Sequence, residues 1–534
     1  MIVATKYRRV ILNPENIGLI TTVIPTADVI RYQGREVVAV PHRIDEVRVL
    51  NNLGFKVPSP ITFYHEWKAP FEAFEAQKIT AGMLTLNPRA YVLNELGTGK
   101  TQALLWAADY LMKVGIIHRV LVVCTMSTME RAWGDEIFRG FMHRTALQVY
   151  GTPKRRLKVL SLDADFYILN HHGLKVEGMV EALQDRPDID LVIVDELAVF
   201  RNSRSDLYHA LERVINGEDT RKRRRAGKPW AWGATAKPTP TEPTDAWAQC
   251  RLITPNTVPR YFSHFRDLVM MRFGPYKWQP RVNAADLVAE AMRPAVRFTR
   301  AQCYDIKEPI YETRHADMSP DQKRVYHDLQ QELIAEYEAG QITAVNEAVK
   351  IGKLVQVASG VAYGQDKLEI QIPCPDRLAV LAELMDEATA KIIIYAPFKC
   401  TVRMLETWLA EQGRKVGVVT GETSKNARDT IFSQFQNRTH EMDTLLAQPG
   451  TMAHGLTLTA ADMIIWWAPL DNNEIYEQAN GRFTRFDQQA QPIVAHIEAS
   501  PAERAVYNRL KNHQNFQNLV LELIEQSQNV LVLD

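Results

Sequence analysis

The run Asn94-Glu-Leu-Gly97-Thr98-Gly99-Lys100-Thr101 constrains the fold more than any other stretch of the chain. It follows an apolar segment, residues 90–93, that reads as a buried strand. It precedes residues 101–114, which read as a helix ended by Gly115. A glycine-rich turn from strand into helix aims backbone N–H groups at an anion, and the helix dipole adds to the attraction. Gly97 and Gly99 let the backbone approach a phosphate closely, Lys100 reaches toward the β/γ-phosphates, and the Thr101 hydroxyl is placed to ligate Mg²⁺. The general pattern for such a loop has glycine at position 94, where this chain has Asn. Asn tolerates left-handed backbone better than most residues, so the loop is expected to form.

Strands alternating with amphipathic helices continue from about residue 71, with further apolar strands at 119–124, 166–169 and 191–194. That grammar implies parallel sheets with crossover helices, whose strands are apolar on both faces. Between 256 and 375 the alternation stops, and residues 319–339 and 344–357 read as long helices. It resumes with strands at 391–396, 416–419, 444–447, 462–466 and 493–496 and a helix at 401–411. Residues 29–40 read as two strands turning at Gln33-Gly34, and residues 45–53 as a helix stopped by Gly54. The expected class is α/β, with two parallel-sheet lobes, a helical insertion and a small α+β N-terminal module. The expected boundaries are 1–70 for the module, 71–255 for lobe 1, 256–375 for the insertion and 376–534 for lobe 2.

Composition narrows the function classes. Lys+Arg and Asp+Glu both number 63 among 534 residues, so bulk-charge binding of nucleic acid is excluded, although a local basic groove is not. No run approaches the roughly 18 apolar residues of a membrane helix, and the chain does not open on a leader-like apolar stretch. The five cysteines are scattered with no C-x-x-C pair, which argues against a disulfide framework or structural zinc and fits a reducing cytoplasm.

Leu191-Val-Ile-Val-Asp195-Glu196 is an apolar strand ending in adjacent carboxylates, at the strand end where open α/β sheets bind ligands. Together with the glycine-rich loop it reads as a nucleotide hydrolase. Asp195 is expected to hold Mg²⁺ through water, and Glu196 to orient and deprotonate the attacking water.

The order of elements now resembles a superfamily-two helicase motor of the Swi/Snf type, in which the first loop runs D-E-x-G-x-G-K-T. Gln77 stands where that family places its adenine-reading glutamine. Residues 121–136, with Thr125, Trp133 and Glu136, resemble the next motif, a strand followed by a W-x-x-E helix start along the DNA backbone. Ile168-Leu-Asn170-His171-His172 resembles the following strand end, usually Tyr-Glu where this chain has His-His. Asp195-Glu-Leu-Ala198-Val-Phe-Arg201-Asn202 resembles D-E-x-H-x-x-[KR]-N, with Ala198 replacing His. Gly233-Ala-Thr235-Ala-Lys237-Pro and Asp245-Ala-Trp247 resemble the G-T-P…D-L-W segment.

In the second half, Lys391-Ile-Ile-Ile-Tyr395 resembles the family's K-V-L-I-F strand, and Gly421-Glu-Thr423 with Arg428 and Phe435 resembles G-x-T…R…F. Ala447-Gln-Pro-Gly-Thr451-Met-Ala-His454-Gly455-Leu456-Thr-Leu458-Thr resembles G-G-x-G-L-N-L. Gln478-Ala-Asn-Gly481-Arg482-Phe-Thr-Arg485-Phe-Asp-Gln488 resembles Q-A-x-G-R-x-x-R-x-G-Q. The H-G-L-x-L loop and E-x-Y-x-Q-A-N-x-R helix look most like compact versions carried by bacteriophages, which would place the protein in the host cytoplasm.

The resemblance, over residues 70–510, implies two RecA-like lobes with ATP and Mg²⁺ between them. It implies that Lys100, Glu196, Arg482 and Arg485 are catalytic and that Gln77, Gly97, Thr98, Gly99, Lys100, Thr101 and Gly455 bind the nucleotide. Thr101 and Asp195 are the expected metal holders. Arg482 and Arg485 would meet the charge developing on the γ-phosphate. The partner implied is DNA, duplex or branched and without sequence preference, alongside other replication or recombination proteins. Expected DNA contacts are Thr125, His171, Arg201, Lys237, Thr423 and Thr451. The dense basic run that includes Arg221 and Arg223 is either a phosphate contact or a solvated loop. Trp466-Trp467 is expected in the core. Two rival readings stand beside this one: an RNA-dependent ATPase motor, and a non-catalytic P-loop protein that clamps DNA.

Overall fold

The computed structural model describes residues 1–69, 72–217, 227–273, 278–303, 309–338, 344–363, 369–452, 458–481 and 491–512. The first residues form an antiparallel sheet of β1 (Ile2–Ala4), β2 (Arg9–Leu12), β3 (Asp28–Tyr32) and β4 (Arg35–Pro41), in the order β1-β2-β4-β3. Gln33 and Gly34 join the last two strands with φ of 49° and 80°, the left-handed pair that a two-residue hairpin demands. Helix Ile44–Asn52 runs out before Gly54, again at positive φ. Val10, Val38, Val40, Val47 and Leu50 give this module a core of its own. It is tied to helix Glu75–Leu86, where Arg48 Nε donates to Leu86 O at 2.8 Å.

The chain divides into two units, one built on Met1–Cys303 and the other within Tyr304–Asn515. The first contains β5 (Arg89–Val92), β6 (Arg119–Cys124), β7 (Ala146–Gln148), β8 (Phe166–Asn170), β9 (Ile189–Asp195) and β10 (Trp230–Ala234). It also contains a two-stranded hairpin of β11 (Met270–Arg272) and β12 (Trp278–Pro280), and β13 (Ala295–Val296). The main sheet has the order β13-β5-β10-β9-β6-β8-β7 and pairs in parallel throughout. Successive residues of a strand face opposite sides. Leu121, Val123, Val192 and Val194 therefore enter one core, while Val120, Val122, Leu191 and Ile193 enter the other.

The second unit is a parallel sheet of β14 (Ile310–His315), β17 (Lys391–Tyr395), β18 (Val416–Val419), β19 (Thr444–Ala447), β20 (Ala461–Trp466) and β21 (Ile493–Glu498). Its order is β14-β21-β20-β17-β19-β18. A separate antiparallel pair is made by β15 (Val361–Tyr363) and β16 (Glu369–Gln371). Trp466 and Trp467 are both fully buried in this unit's core. Beneath Trp467 lies a buried ion pair, Arg377 Nη2 to Glu503 Oε1 at 2.8 Å, whose guanidinium is also 5.0 Å from the Trp467 ring centroid.

The 256–375 stretch, expected as a helical bridge, does contain the helices Pro320–Glu338 and Ala344–Ala358. It also lends a strand to each sheet. β13 pairs with β5 in the first unit, and β14 pairs with β21 in the second. β13 is too short for its apolar pattern to register in the sequence. Among the described residues, no helix is long and apolar enough to cross a membrane.

Candidate active site

The loop from β5 into helix Lys100–Lys113 turns through Gly97 (φ 87°) and Gly99 (φ 74°). At Gly99 a Cβ would strike the amide nitrogen of buried Gln77. Gln77 braces the loop from below: its Nε2 donates to Gly99 O at 3.2 Å and its Oε1 accepts from Phe74 N at 3.0 Å. Thr98 Oγ1 donates to Glu95 O at 2.9 Å. Lys100 bends back so that Nζ donates to Asn94 O at 2.8 Å and Glu95 O at 3.3 Å. Burial lowers the Lys100 pKa from its ordinary value, and the nearby carboxylates of Glu196 and Asp195 oppose that shift.

Asn94 departs from the expected reason for its tolerance. Among the described residues the positive-φ non-glycines are Arg8, Gln33 and Glu196, so Asn94 does not use left-handed backbone. Its side chain is buried instead, with Nδ2 donating to Thr80 Oγ1 at 3.0 Å. The Asn thus ties the loop to the helix that carries Gln77.

Glu95, beside it, accepts from Arg297 Nη2 at 2.8 Å and from the Arg300 backbone N at 2.9 Å, and Arg297 Nη1 donates to Leu93 O at 3.2 Å. Burial alone would raise the Glu95 pKa; the two arginines outweigh it and lower it. Sequence reasoning missed both arginines because they follow the short β13.

The carboxylate pair stands at the end of β9. Asp195 Oδ2 accepts from the indole Nε1 of Trp133 at 3.1 Å, and Trp133 is fully buried. Trp133 lies in Met129–Gly134, a single π-helical segment, a distortion that often marks functional positions in helices. His171 Nε2 donates to Asp195 O at 2.8 Å. Burial lowers the His171 pKa, with the Asp195 carbonyl opposing, and the bond to that carbonyl puts a proton on Nε2. Glu196 adopts φ 54°, ψ 53°, a left-handed backbone that costs a non-glycine residue about 1–3 kcal/mol.

Because the strands of the first sheet are parallel, the ends of β5, β6, β8, β9 and β10 share one edge. That edge brings together Lys100 and Thr101, Thr125, His171, Asp195 with Glu196, and Lys237. Thr125 Oγ1 is 2.9 Å from Thr128 Oγ1 in the turn after β6. Lys237 N donates to Thr235 Oγ1 at 3.2 Å, and Arg201 Nη1 donates to Ala198 O at 3.1 Å. His171, expected along the nucleic-acid path, is 5% exposed and turned toward the β9 strand end. This placement favours a bracing role over a phosphate contact.

In the second unit Thr423 and Thr451 follow β18 and β19 at the same kind of edge. Thr423 Oγ1 accepts from Thr420 N at 2.9 Å, and Thr451 Oγ1 donates to Gln448 O at 2.7 Å. Gln448, inside the loop motif that begins at Ala447 but given no role there, accepts from Gly421 N at 3.1 Å and donates to Pro397 O at 3.3 Å, linking the loops after β17, β18 and β19. Arg221, Arg223, Gly455, Arg482 and Arg485 lie outside the described residues.

Residues 376–487 match the family described as the helicase conserved C-terminal domain. The strands β17 to β20 and the three loops joined by Gln448 lie within the matched residues. Putative protein p41 of Acyrthosiphon pisum secondary endosymbiont phage 1 is 22% identical over 480 residues, covering 83% of this chain and 100% of that protein. The Sulfolobus solfataricus SWI2/SNF2 ATPase core in complex with dsDNA aligns with 17% identity and a TM-score of 0.39, over 88% of this chain and 96% of that one. A second structure of the Sulfolobus solfataricus SWI2/SNF2 ATPase core domain aligns with 16% identity and a TM-score of 0.40, over 85% and 91%.

Proposed function

We propose that this protein is an ATP-driven motor of the Swi/Snf type that moves along DNA, duplex or branched. The observation that carries the reading is the position of Lys100. Its ammonium rests on the carbonyls of a glycine loop at a helix N-terminus, within the field of two carboxylates from the neighbouring strand end. A nucleotide phosphate suits this loop: the ammonium exchanges two carbonyls for phosphate oxygens, and the helix N-terminus offers further N–H donors. The Thr101 hydroxyl and the Asp195 carboxylate are oxygen donors of the kind Mg²⁺ takes. When bound, Mg²⁺ neutralises negative charge on the phosphates.

Glu196 takes the proton of the attacking water. Its left-handed backbone turns the residue out of the strand direction, and Trp133 and His171 hold the strand end before it. Gln77 and Asn94 keep the loop in shape from the helix below. The reading assigns Arg482 and Arg485 to the charge developing on the γ-phosphate, and the remaining expected contacts, Thr125, Arg201, Lys237, Thr423 and Thr451, to the DNA backbone. Support for a motor comes from the match of residues 376–487 to the helicase conserved C-terminal domain.

The test is ATPase turnover without nucleic acid and with single-stranded DNA, duplex DNA, a four-way junction and RNA, using Glu196→Gln as control. Stimulation by DNA, abolished in the variant, is the expected result. Equal rates in all conditions would sink the motor, and preferential stimulation by RNA would change its polymer.

A further inference from the structure

The stretch Arg260-Tyr-Phe-Ser-His-Phe-Arg266-Asp267-Leu-Val-Met-Met271-Arg272-Phe273 and the returning Trp278-Gln-Pro-Arg281-Val282 belong to no motif of the expected motor. They fold as helix Phe262–Val269 followed by the β11–β12 hairpin, which among the described residues pairs with itself and not with the main sheet. Phe265 and Val269 supply the inner face that packs into the core. What remains outside is unusually apolar: Tyr261 is 59% exposed, Leu268 49%, Met271 47%, Phe273 62% and Val282 103%. A two-stranded hairpin is marginal in water, so folding gives no reason to display large apolar side chains on one.

The charge of this surface is one-sided. Arg260, Arg266, Arg272 and Arg281 face a lone acid, Asp267, in a chain whose formal net charge is zero. Several of these groups are already arranged as pairs of cation and ring. The Arg266 guanidinium lies 4.0 Å from the Trp278 ring centroid, and Arg260 lies 5.8 Å from that of Tyr261. Arg281 Nε donates to Asp267 O at 3.0 Å and Met270 O at 3.1 Å, which fastens the returning strand to the helix. The hairpin therefore has a fixed base, and Arg272 at the end of its first strand and Phe273 just after it are both exposed.

We propose that the helix–hairpin surface formed by residues 260–273 and 278–282 binds a DNA strand with unpaired bases, Arg260 and Arg272 meeting phosphates and Phe273 stacking on a base. The charge selects a polyanion, and the exposed rings select one that offers π-faces. A duplex keeps its bases stacked inside and would leave Phe273 unused. The proposal deepens the motor reading and rests on it, because it names a DNA contact in the same unit as the glycine loop but away from it.

The experiment measures binding of fluorescent oligo-dT and of a blunt duplex by anisotropy across a salt series, using the full-length protein, Phe273→Ala, and Arg260→Ala/Arg272→Ala. Phe273→Ala is expected to weaken oligo-dT binding by about tenfold, as the loss of one stacked base would, and to leave duplex binding unchanged. The double arginine variant is expected to lower the slope of log K against log salt for oligo-dT by about 0.7 for each lost phosphate contact. Basal ATPase without DNA reports that both variants are folded, since none of these residues touches the glycine loop or the carboxylates.

If the parent protein binds DNA and both variants match it in affinity and slope, this inference falls while the motor stands. If the variants instead lose self-association and keep DNA binding, the surface is a protein contact and the inference is likewise overturned. If the parent protein binds no nucleic acid at all, the motor reading fails and takes this inference with it.

Discussion

Trp133 offers a sharp test of the carboxylate site. The indole N–H donates to Asp195 Oδ2, while Asp195 Oδ1 accepts the short-range N–H of Glu196. Trp133→Phe removes the donor and keeps an aromatic ring in a fully buried place. A hydrogen bond to a charged group contributes about 1.5–3 kcal/mol. With about 1.4 kcal/mol for each factor of ten, freeing this oxygen should weaken the hold on Mg²⁺ by about tenfold or more. The assay is ATPase rate against Mg²⁺ concentration at saturating ATP, paired with binding of a fluorescent nucleotide at several Mg²⁺ concentrations. The half-saturating Mg²⁺ should rise by that factor in both, while thermal melts by circular dichroism show the fold retained. An unchanged Mg²⁺ requirement in a folded variant would refute the claim that Trp133 positions Asp195.

Two further predictions concern the second unit. Burial brings the His496 pKa down from 6.5 to about 4, and its Nε2 lies 2.8 Å from the Tyr476 hydroxyl. The folded ring stays neutral while the unfolded chain takes up a proton below pH 6.5. Stability is therefore lost as pH falls from 6.5 toward 4, by about 3 kcal/mol. Urea denaturation at pH 7.5 and pH 5 should show the loss, and His496→Gln should flatten it; an identical pH dependence in the variant would contradict the assignment. Arg377→Met leaves Glu503 charged and buried, and should cost about 3–5 kcal/mol, read as a lower urea midpoint. Adding Glu503→Gln should recover part of that loss, and a double variant no better than the single one would argue against the ion pair as the cause.

Local chemistry made much of this protein legible as sequence. Gln33-Gly34 had to turn because two adjacent residues must adopt left-handed backbone in so short a hairpin, and a glycine marks the place. The strands β6, β9, β17 and β20 announce themselves as apolar runs because both faces of a parallel sheet are covered. Trp466 and Trp467 end such a run and are buried with it. Gly97, Gly99, Lys100 and Thr101 are recognisable because a phosphate loop needs specific residue types at adjacent positions.

Contacts between residues far apart in the chain left no such mark. Trp133 reads as part of a helix start, and only the packing of the π-helical segment against β9 delivers its N–H to Asp195. Glu95 and Arg297 meet because the short β13 pairs with β5. Asn94 looks like a tolerated exception to a glycine pattern until Thr80 is placed beneath it. The exposed rings of Tyr261 and Phe273 are indistinguishable in sequence from core aromatics, since burial belongs to the assembled fold and not to the residue. Sequence thus determined which segments become strands, turns and the phosphate loop, through period, backbone preference and local hydrogen bonding. The tertiary structure alone decided which distant groups share a carboxylate, which buried charges are paired and which apolar side chains are left in water, because those outcomes depend on the order in which strands join a sheet.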